Sequence, residues 1–208
     1  MGAVIEFFRN GGSFMYVILF VFILGLSIIV ERILYISFKN RIDTVAFVNR
    51  ILELLQRGNV ANAIEFCRMS PAALPRIVGA GLEEAGKKPK DIQQAFELAS
   101  MVEIPKLDKR VHFLGAIANV ATLMGLLGTI FGLIGSFQAV ANAPAAQKAV
   151  LLTAGISTAM NTTAFGIIVA IPCMLAHSFL QEQTNAIKDD IQTNVIRIYN
   201  RLIALKGN

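Results

Sequence analysis

The sequence is short of charge. Only 16% of its 208 residues are Asp, Glu, Lys or Arg, whereas 55% are hydrophobic, and the mean hydropathy is +0.60. An average soluble domain carries roughly 25% charged residues, and one of this length could not hide so much apolar surface, so a single soluble domain is excluded. The same figures exclude an intrinsically disordered chain. Tryptophan is absent, and there are only two cysteines, Cys67 and Cys173. Two cysteines fall short of a zinc ligand set, and such separate positions argue against a disulfide, so both read as packing residues and no metal site is expected. Acids are missing altogether between Asp108 and Glu182.

What charge there is lies unevenly. None falls between Arg9 and Glu31, and from Val111 to Gln181 the only charged residue is Lys148, which leaves uncharged runs of 37 and 33 residues on either side of it. A helix needs about 20 apolar residues to cross a hydrocarbon layer about 30 Å thick. The sequence therefore predicts three transmembrane helices, at 12–35, 114–141 and 150–178. The first does not read as a cleaved signal peptide: Glu6 and Arg9 precede it, its apolar stretch is long, and Glu31–Arg32 stands where a small-residue cleavage site would follow. Tyr16 and Tyr35 are nineteen residues apart, about 28 Å along a helix, which suits two interfacial anchors.

Orientation follows from the basic residues. Residues 32–110 hold thirteen Lys and Arg and the tail holds four more, against Arg9 and Lys148 alone on the other side. The positive-inside rule places the long segment and the tail in the cytoplasm. The expected layout is a periplasmic segment 1–11, span one, a cytoplasmic helical domain 36–113, span two, a periplasmic loop 142–149, span three, and a cytoplasmic helix 179–208. The net charge of +5 is explained by this topology. No basic stripe interleaved with aromatics is present, so the lipid bilayer and not nucleic acid is the expected partner.

The fold class is all-α, with no strand pattern. Val45, Val48, Ile51, Leu52 and Leu55, then Val60, Ala63, Ile64 and Cys67, keep helical spacing on either side of Gly58–Asn59. A further helix is expected at 75–85, ended by Gly86 and Lys87–Lys88–Pro89. From Asp91 a long pattern runs through Leu98, Val102 and Leu107 into span two, with Pro105 as a kink point. In the tail, Ile187, Ile191, Val195, Ile198, Leu202 and Leu205 mark an amphipathic helix continuing span three. It serves either assembly or packing on the chain's own cytoplasmic helices.

Several motifs lead nowhere. Gly81-Leu-Glu-Glu-Ala-Gly86-Lys87-Lys88 approaches a phosphate-binding loop but lacks the Ser/Thr for magnesium, puts two carboxylates where phosphate would sit, and follows no strand. Asn161-Thr162-Thr163 matches a glycosylation acceptor but lies in mid-membrane. His112 and His177 lack acidic or cysteine partners and read as interfacial or packing residues sooner than ligands or relays. No Ser/His/Asp grouping or carboxylate pair points to catalysis, so no catalytic residue is expected.

Spans two and three are unusual. Gly125, Gly128, Gly132 and Gly135 are spaced for one face of span two, and Gly155, Ala159, Gly166 and Ala170 are the small residues of span three. Such residues let backbones approach closely. Thr122, Thr129 and Ser136 recur every seven residues, while span three carries Thr153, Ser157, Thr158, Asn161, Thr162 and Thr163. Hydroxyls can be satisfied on the i−4 carbonyl, so each alone is packing. Their number in two spans, and a mid-membrane amide at Asn161, point to a polar passage. Span one is almost wholly Ile, Val, Leu and Phe and suits lipid. A ring of copies, with spans two and three inside and span one outside, is the simplest geometry.

The segment Ala121-Thr-Leu-Met-Gly-Leu-Leu-Gly-Thr-Ile-Phe-Gly132, with Ser136-Phe137 following, resembles the span-two signature of the ExbB/TolQ/MotA proton-channel family. Gly155-Ile-Ser-Thr-Ala-Met-Asn-Thr-Thr-Ala-Phe-Gly166 and Ala170-Ile-Pro172 resemble its span-three signature. The layout is closest to the ExbB/TolQ branch, since the MotA branch has four spans. The resemblance implies a homopentamer in a bacterial inner membrane. Its pore would hold a dimer of single-span ExbD/TolR-type chains that supply a membrane aspartate. Work would pass to a TonB- or TolA-type protein. The family's pore threonines map onto Thr129 and Thr163, with Thr158, Asn161 and Thr162 as further pore-lining candidates, and the glycines with Pro172 as packing positions. Departures are Thr122 in place of the usual proline, Thr158 where the best-known ExbB proteins have a glutamate, and Asn161, which is outside the pattern.

Threonine hydroxyls do not titrate near neutral pH, and spans two and three hold no carboxylate. A titrating group must therefore come from elsewhere, and the resemblance supplies it in the partner's aspartate; the coupling ion is a proton or sodium, with no cofactor. The alternatives are a structural scaffold that moves no ion, a MotA-like or gliding motor subunit, and a passive solute channel, which three spans without an internal repeat disfavour. The missing acids predict that the chain alone, in liposomes, conducts protons poorly; robust flux under an imposed potential would contradict the argument.

Overall fold

The structure is a computed structural model that describes residues 7–8, 11–36 and 42–206. Glu6, Arg9, Lys39 and Arg41, used above in reading the topology, lie outside the described residues, as does most of segment 1–11. The helices are α1 (Phe14–Leu34), α2 (Thr44–Gln56), α3 (Val60–Arg68), α4 (Ala73–Glu83), α5 (Pro89–Asp108), α6 (Val111–Ala141) and α7 (Ala145–Lys206). No strand occurs among the described residues. Three helical stretches, carrying the three uncharged runs, are long and apolar enough to cross a membrane.

The chain divides into two compact units. One comprises Met1–Val30 and Arg110–Phe179. Its core is Met15 and Ile18 of α1, Ala118 and Ala121 of α6, and Phe165, Val169, Ala170 and Cys173 of α7. On α6 the buried positions include Leu114, Ala118, Ala121, Gly125 and Gly128, a stripe at three- and four-residue intervals as one helical face requires. The opposite surface is apolar too: Phe20, Leu123 and Phe137 are each 62% exposed. Helices apolar all round need a non-aqueous surround.

The other unit comprises Glu31–Lys109 and Leu180–Asn208. Local chemistry sets its helix ends. The Asp43 carboxylate accepts from the Ala46 amide at the start of α2, and the Asn59 side chain accepts from the Asn62 amide at the start of α3. Such caps contribute about 1 kcal/mol each. Gly58, at φ 71°, makes the reversal between α2 and α3. Helix α4 begins at Ala73, two residues before the proline expected to open it. Pro75 falls in the first turn, where an amide proton has no intrahelical partner to lose. The near-miss phosphate loop is helical through Glu83, and Gly81 is packed so tightly that a Cβ there would come within 2.3 Å of the Phe96 ring.

The tail question has a definite answer. Ile191, Ile198 and Leu202 of α7 are buried in one cluster with Phe47, Ile51, Leu74, Ile77, Ile92 and Leu107. The tail thus packs on helices of its own chain; Leu205, counted on the same face, is 38% exposed. The expected passage of one helix from Asp91 into span two is not found. Helix α5 starts earlier, with Pro89 in its first turn, and ends at Asp108; Arg110 adopts φ 70°, in the left-handed region, before α6 begins. That conformation costs a non-glycine residue roughly 1–2 kcal/mol. Pro105 sits inside α5 without ending it.

Arg32 is 3% exposed, although it reads in sequence as one more cytoplasmic charge. Its guanidinium stacks on Tyr35 at 4.7 Å, bonds the Glu31 carboxylate at 3.0 Å and reaches the Lys106 carbonyl at 3.4 Å. That carbonyl belongs to the last turn of α5, where a cation is favoured by the helix dipole. The Lys188 ammonium pairs with Asp108 at the same helix end.

Burial pushes the Cys67 thiol up to about 12, so at neutral pH it is protonated and unreactive. Cys67 in the native chain is therefore expected to resist iodoacetamide at pH 8 and to react promptly once unfolded. Rapid labelling of the native protein, read by mass spectrometry, would show that the α3–α4 core is looser than described.

Candidate functional site

Helices α6 and α7 meet along a seam from which side chains have been removed. A Cβ added to Gly166 would lie 2.7 Å from the Ala121 carbonyl oxygen and 3.0 Å from the Gly125 Cα; one added to Gly125 would lie 3.3 Å from the Gly166 Cα. Both obstacles are backbone, so neither can swing away. Farther along, Gly132 faces Ala159, and Gly155 faces Ser136. Gly128 faces the Thr162 side chain and the Phe14 Cβ. Gly135, grouped with these by spacing, looks into open space, so within this chain it takes no part in the seam. Pro172 is exposed within the unbroken α7.

Across the closest point of the seam, the Thr163 hydroxyl donates to the Gly125 carbonyl at 3.1 Å. This bond links α6 to α7 and exists because the glycines allow it. Thr129, one turn after Gly125, is half-buried and donates to the Leu126 carbonyl at 2.6 Å. The two threonines singled out by the family motif are therefore both tied to one turn and a half of α6.

The other polar candidates take a different side. Thr162, one residue before Thr163 and about 100° away around the helix, is 1% exposed. Its hydroxyl lies 2.8 Å from the Gly11 carbonyl, just ahead of α1, and 2.9 Å from the Thr158 carbonyl. The Thr158 methyl lies near Gly12, and its hydroxyl donates to Ala154 at 3.1 Å. Asn161 is half-buried and, being two residues from Thr163, lies about 200° around α7 from it. Thr158 thus faces the start of α1, Thr162 is enclosed between that segment and Gly128 of α6, and Thr163 bonds to Gly125 of α6. The five residues do not share one face of α7 and its neighbour. Among the departures from the family motif, Thr122 donates to Ala118 and α6 runs on through it.

Sequence reasoning missed the partner of Thr162, because a backbone carbonyl leaves no trace in residue identity. It also missed the contact between Ser136 and Gly155, although a serine and a glycine at corresponding depths of two antiparallel spans is a signal that could be sought.

Residues 70–193 match the MotA/TolQ/ExbB proton channel family. The chain is 29% identical over 191 residues to a biopolymer transport protein ExbB homolog of Methanothermobacter thermautotrophicus, covering 91% of this chain and 66% of that relative. It is 32% identical over 180 residues to the ExbB-like 3 protein of Synechocystis, covering 80% and 84% of the two chains. With the Tol-Pal system protein TolQ of Haemophilus influenzae the identity is 37% over 101 residues, covering 49% of this chain and 44% of that relative.

Gly166→Ala is expected to force α6 and α7 apart and lose the Thr163–Gly125 bond, at about 1–3 kcal/mol for overpacking. A lowered Tm of the purified protein in detergent checks this, with Gly135→Ala as the control expected to leave Tm unchanged. On the match over residues 70–193, the chain belongs to the MotA/TolQ/ExbB proton channel family.

Proposed function

We propose that this chain is the pore-forming, stator-type subunit of a proton-driven complex in a bacterial inner membrane. Copies of it form a ring, a pentamer by family resemblance, with α1 outward and the Thr129–Thr163 side of the α6–α7 seam inward. The unit built on α2–α5 and the α7 tail lies in the cytoplasm, as the excess of Lys and Arg there favours. The passage encloses the single spans of an ExbD/TolR-type dimer, and the work goes to a TonB- or TolA-type protein. The names of the relatives support this setting: biopolymer transport for one and the Tol-Pal system for another.

The observation that carries the reading is the placement of Thr129 and Thr163. Both sit on one stretch of α6 and its seam with α7, in spans where no acid occurs between Asp108 and Glu182. An apolar wall with isolated hydroxyls cannot hold a charge of its own. It can host a titratable group brought by another helix, whose charged form is costly there unless solvated. Protonation of that group then decides where it can rest, and ion flow becomes movement. Thr158, Asn161 and Thr162 act at the edge of this arrangement.

A scaffold without conduction would make the same hydroxyl-to-carbonyl bonds. One pair of substitutions separates the readings. Thr129→Val with Thr163→Val is expected to abolish energy-coupled work in cells while the oligomer still assembles on native gels. Full activity in that double variant would refute the role given to the pair.

A further inference from the structure

The hydroxyls of α6 recur every seven residues, at Thr122, Thr129 and Ser136. One interval earlier the same series falls on Gly115, which has no side chain. The other helix fills the place. A Cβ built on Gly115 would touch the His177 ring of α7, 3.7 Å from its Cδ2 and Nε2 and 3.8 Å from its Cε1. A longer side chain at 115 would compete with the ring for that space. Gly115 is fourteen residues before Thr129, and His177 is fourteen residues after Thr163. Fourteen residues return a helix to within about 40° of its starting direction and carry it about 21 Å along its axis. Both helices therefore bring the imidazole to the side on which Thr129 and Thr163 lie, nearer the ends that join the unit of short helices.

The ring is half-buried, so part of it still meets its surroundings. Among the described residues no hydrogen bond engages either ring nitrogen, which leaves one nitrogen to accept a proton and the other to donate one. Imidazole is the side chain that takes up and gives up protons near neutral pH, and His177 is the only one from Phe113 to Gln181. Few charges surround it. From Phe14 to Val30, α1 has Tyr16 alone as a titratable group, at its far end. On α6 there is only His112, exposed and one turn before Gly115, with Arg110 just ahead of the helix. On α7, Cys173 is one turn back and faces Gly25 of α1, while Glu182 is exposed and five residues on, about 140° around the helix.

We propose that His177 is the proton carrier at the cytoplasmic mouth of the passage. This rests on the function proposed above and adds to it a way out for the proton. One ring nitrogen accepts a proton from water at the inner end of the passage, and the other gives its proton to cytoplasmic water. The imidazole is neutral again, as the opposite tautomer, and turning of the ring restores the first. No electron moves, and no group besides water is needed.

The test uses the complex isolated from cells through a tag on this chain, reconstituted in liposomes that enclose a pH-sensitive dye, with proton flux driven by an imposed potential. His177→Phe keeps a ring against Gly115 but has no exchangeable proton. Flux is expected to fall about a hundredfold, the lower end of what a positioned proton-transfer group contributes, with subunit composition on native gels unchanged. In His177→Ala, imidazole added to the buffer should restore flux, whereas pyrazole, of the same size and far less basic, should not. Flux in His177→Phe close to that of the unsubstituted complex overturns the inference. So does a loss that imidazole fails to repair in His177→Ala, or that pyrazole repairs equally, since either outcome assigns the ring to packing. An unsubstituted complex that passes no protons would instead overturn the proposed function, and this inference with it.

Discussion

Everything distinctive about the membrane-spanning unit depends on the contact between Gly125 and Gly166. There the two helices meet backbone to backbone, and a Cβ on Gly166 would come within 2.7 Å of the Ala121 carbonyl oxygen. Without water or a hydrophobic driving force, helices in lipid associate through close packing and interhelical hydrogen bonds. Here the two are one device, since the Thr163 hydroxyl reaches the Gly125 carbonyl only because the glycines bring it there. The rest of the seam, Gly132 on Ala159 and Gly155 on Ser136, extends the same contact.

The unit of short helices follows ordinary soluble chemistry. Its helices are capped by Asp43 and Asn59, and its core is a mixture of large aliphatic and aromatic side chains. Its surface pairs are exposed and weak in the usual way, Arg50 and Arg57 with Glu53 among them. The exception is Arg32, buried on Tyr35 and turned to the end of α5. Its guanidinium meets a ring face, a carboxylate and a main-chain carbonyl at once.

Much of this was legible in advance, for definite reasons. Uncharged runs broken only by Lys148 can be read as spans because the bilayer admits little else. The break between α2 and α3 could be read because Gly58 supplies a left-handed residue cheaply. The break at Lys109–Arg110 could not, because arginine carries no such signal and pays a strain that only the surrounding structure compensates. At the site, Thr129 and Thr163 could be picked out from the family motif. What the motif could not convey was sidedness: Thr162 and Thr163 are adjacent letters, yet one turns to Gly11 and the other to Gly125. Nor could spacing show that Gly135 stands apart from the glycines with which it is in step.

The Thr163–Gly125 bond also bears on how such a site records its own history. Its acceptor is a main-chain oxygen, which every amino acid possesses. No substitution at position 125 can delete it, and no compensating change at 163 is ever called for on its account. What selection can see at 125 is volume; what it can see at 163 is a hydroxyl. The two positions are mechanically one joint, yet they would drift under separate rules, and a search for correlated substitutions would pass over the bond that holds the spans together.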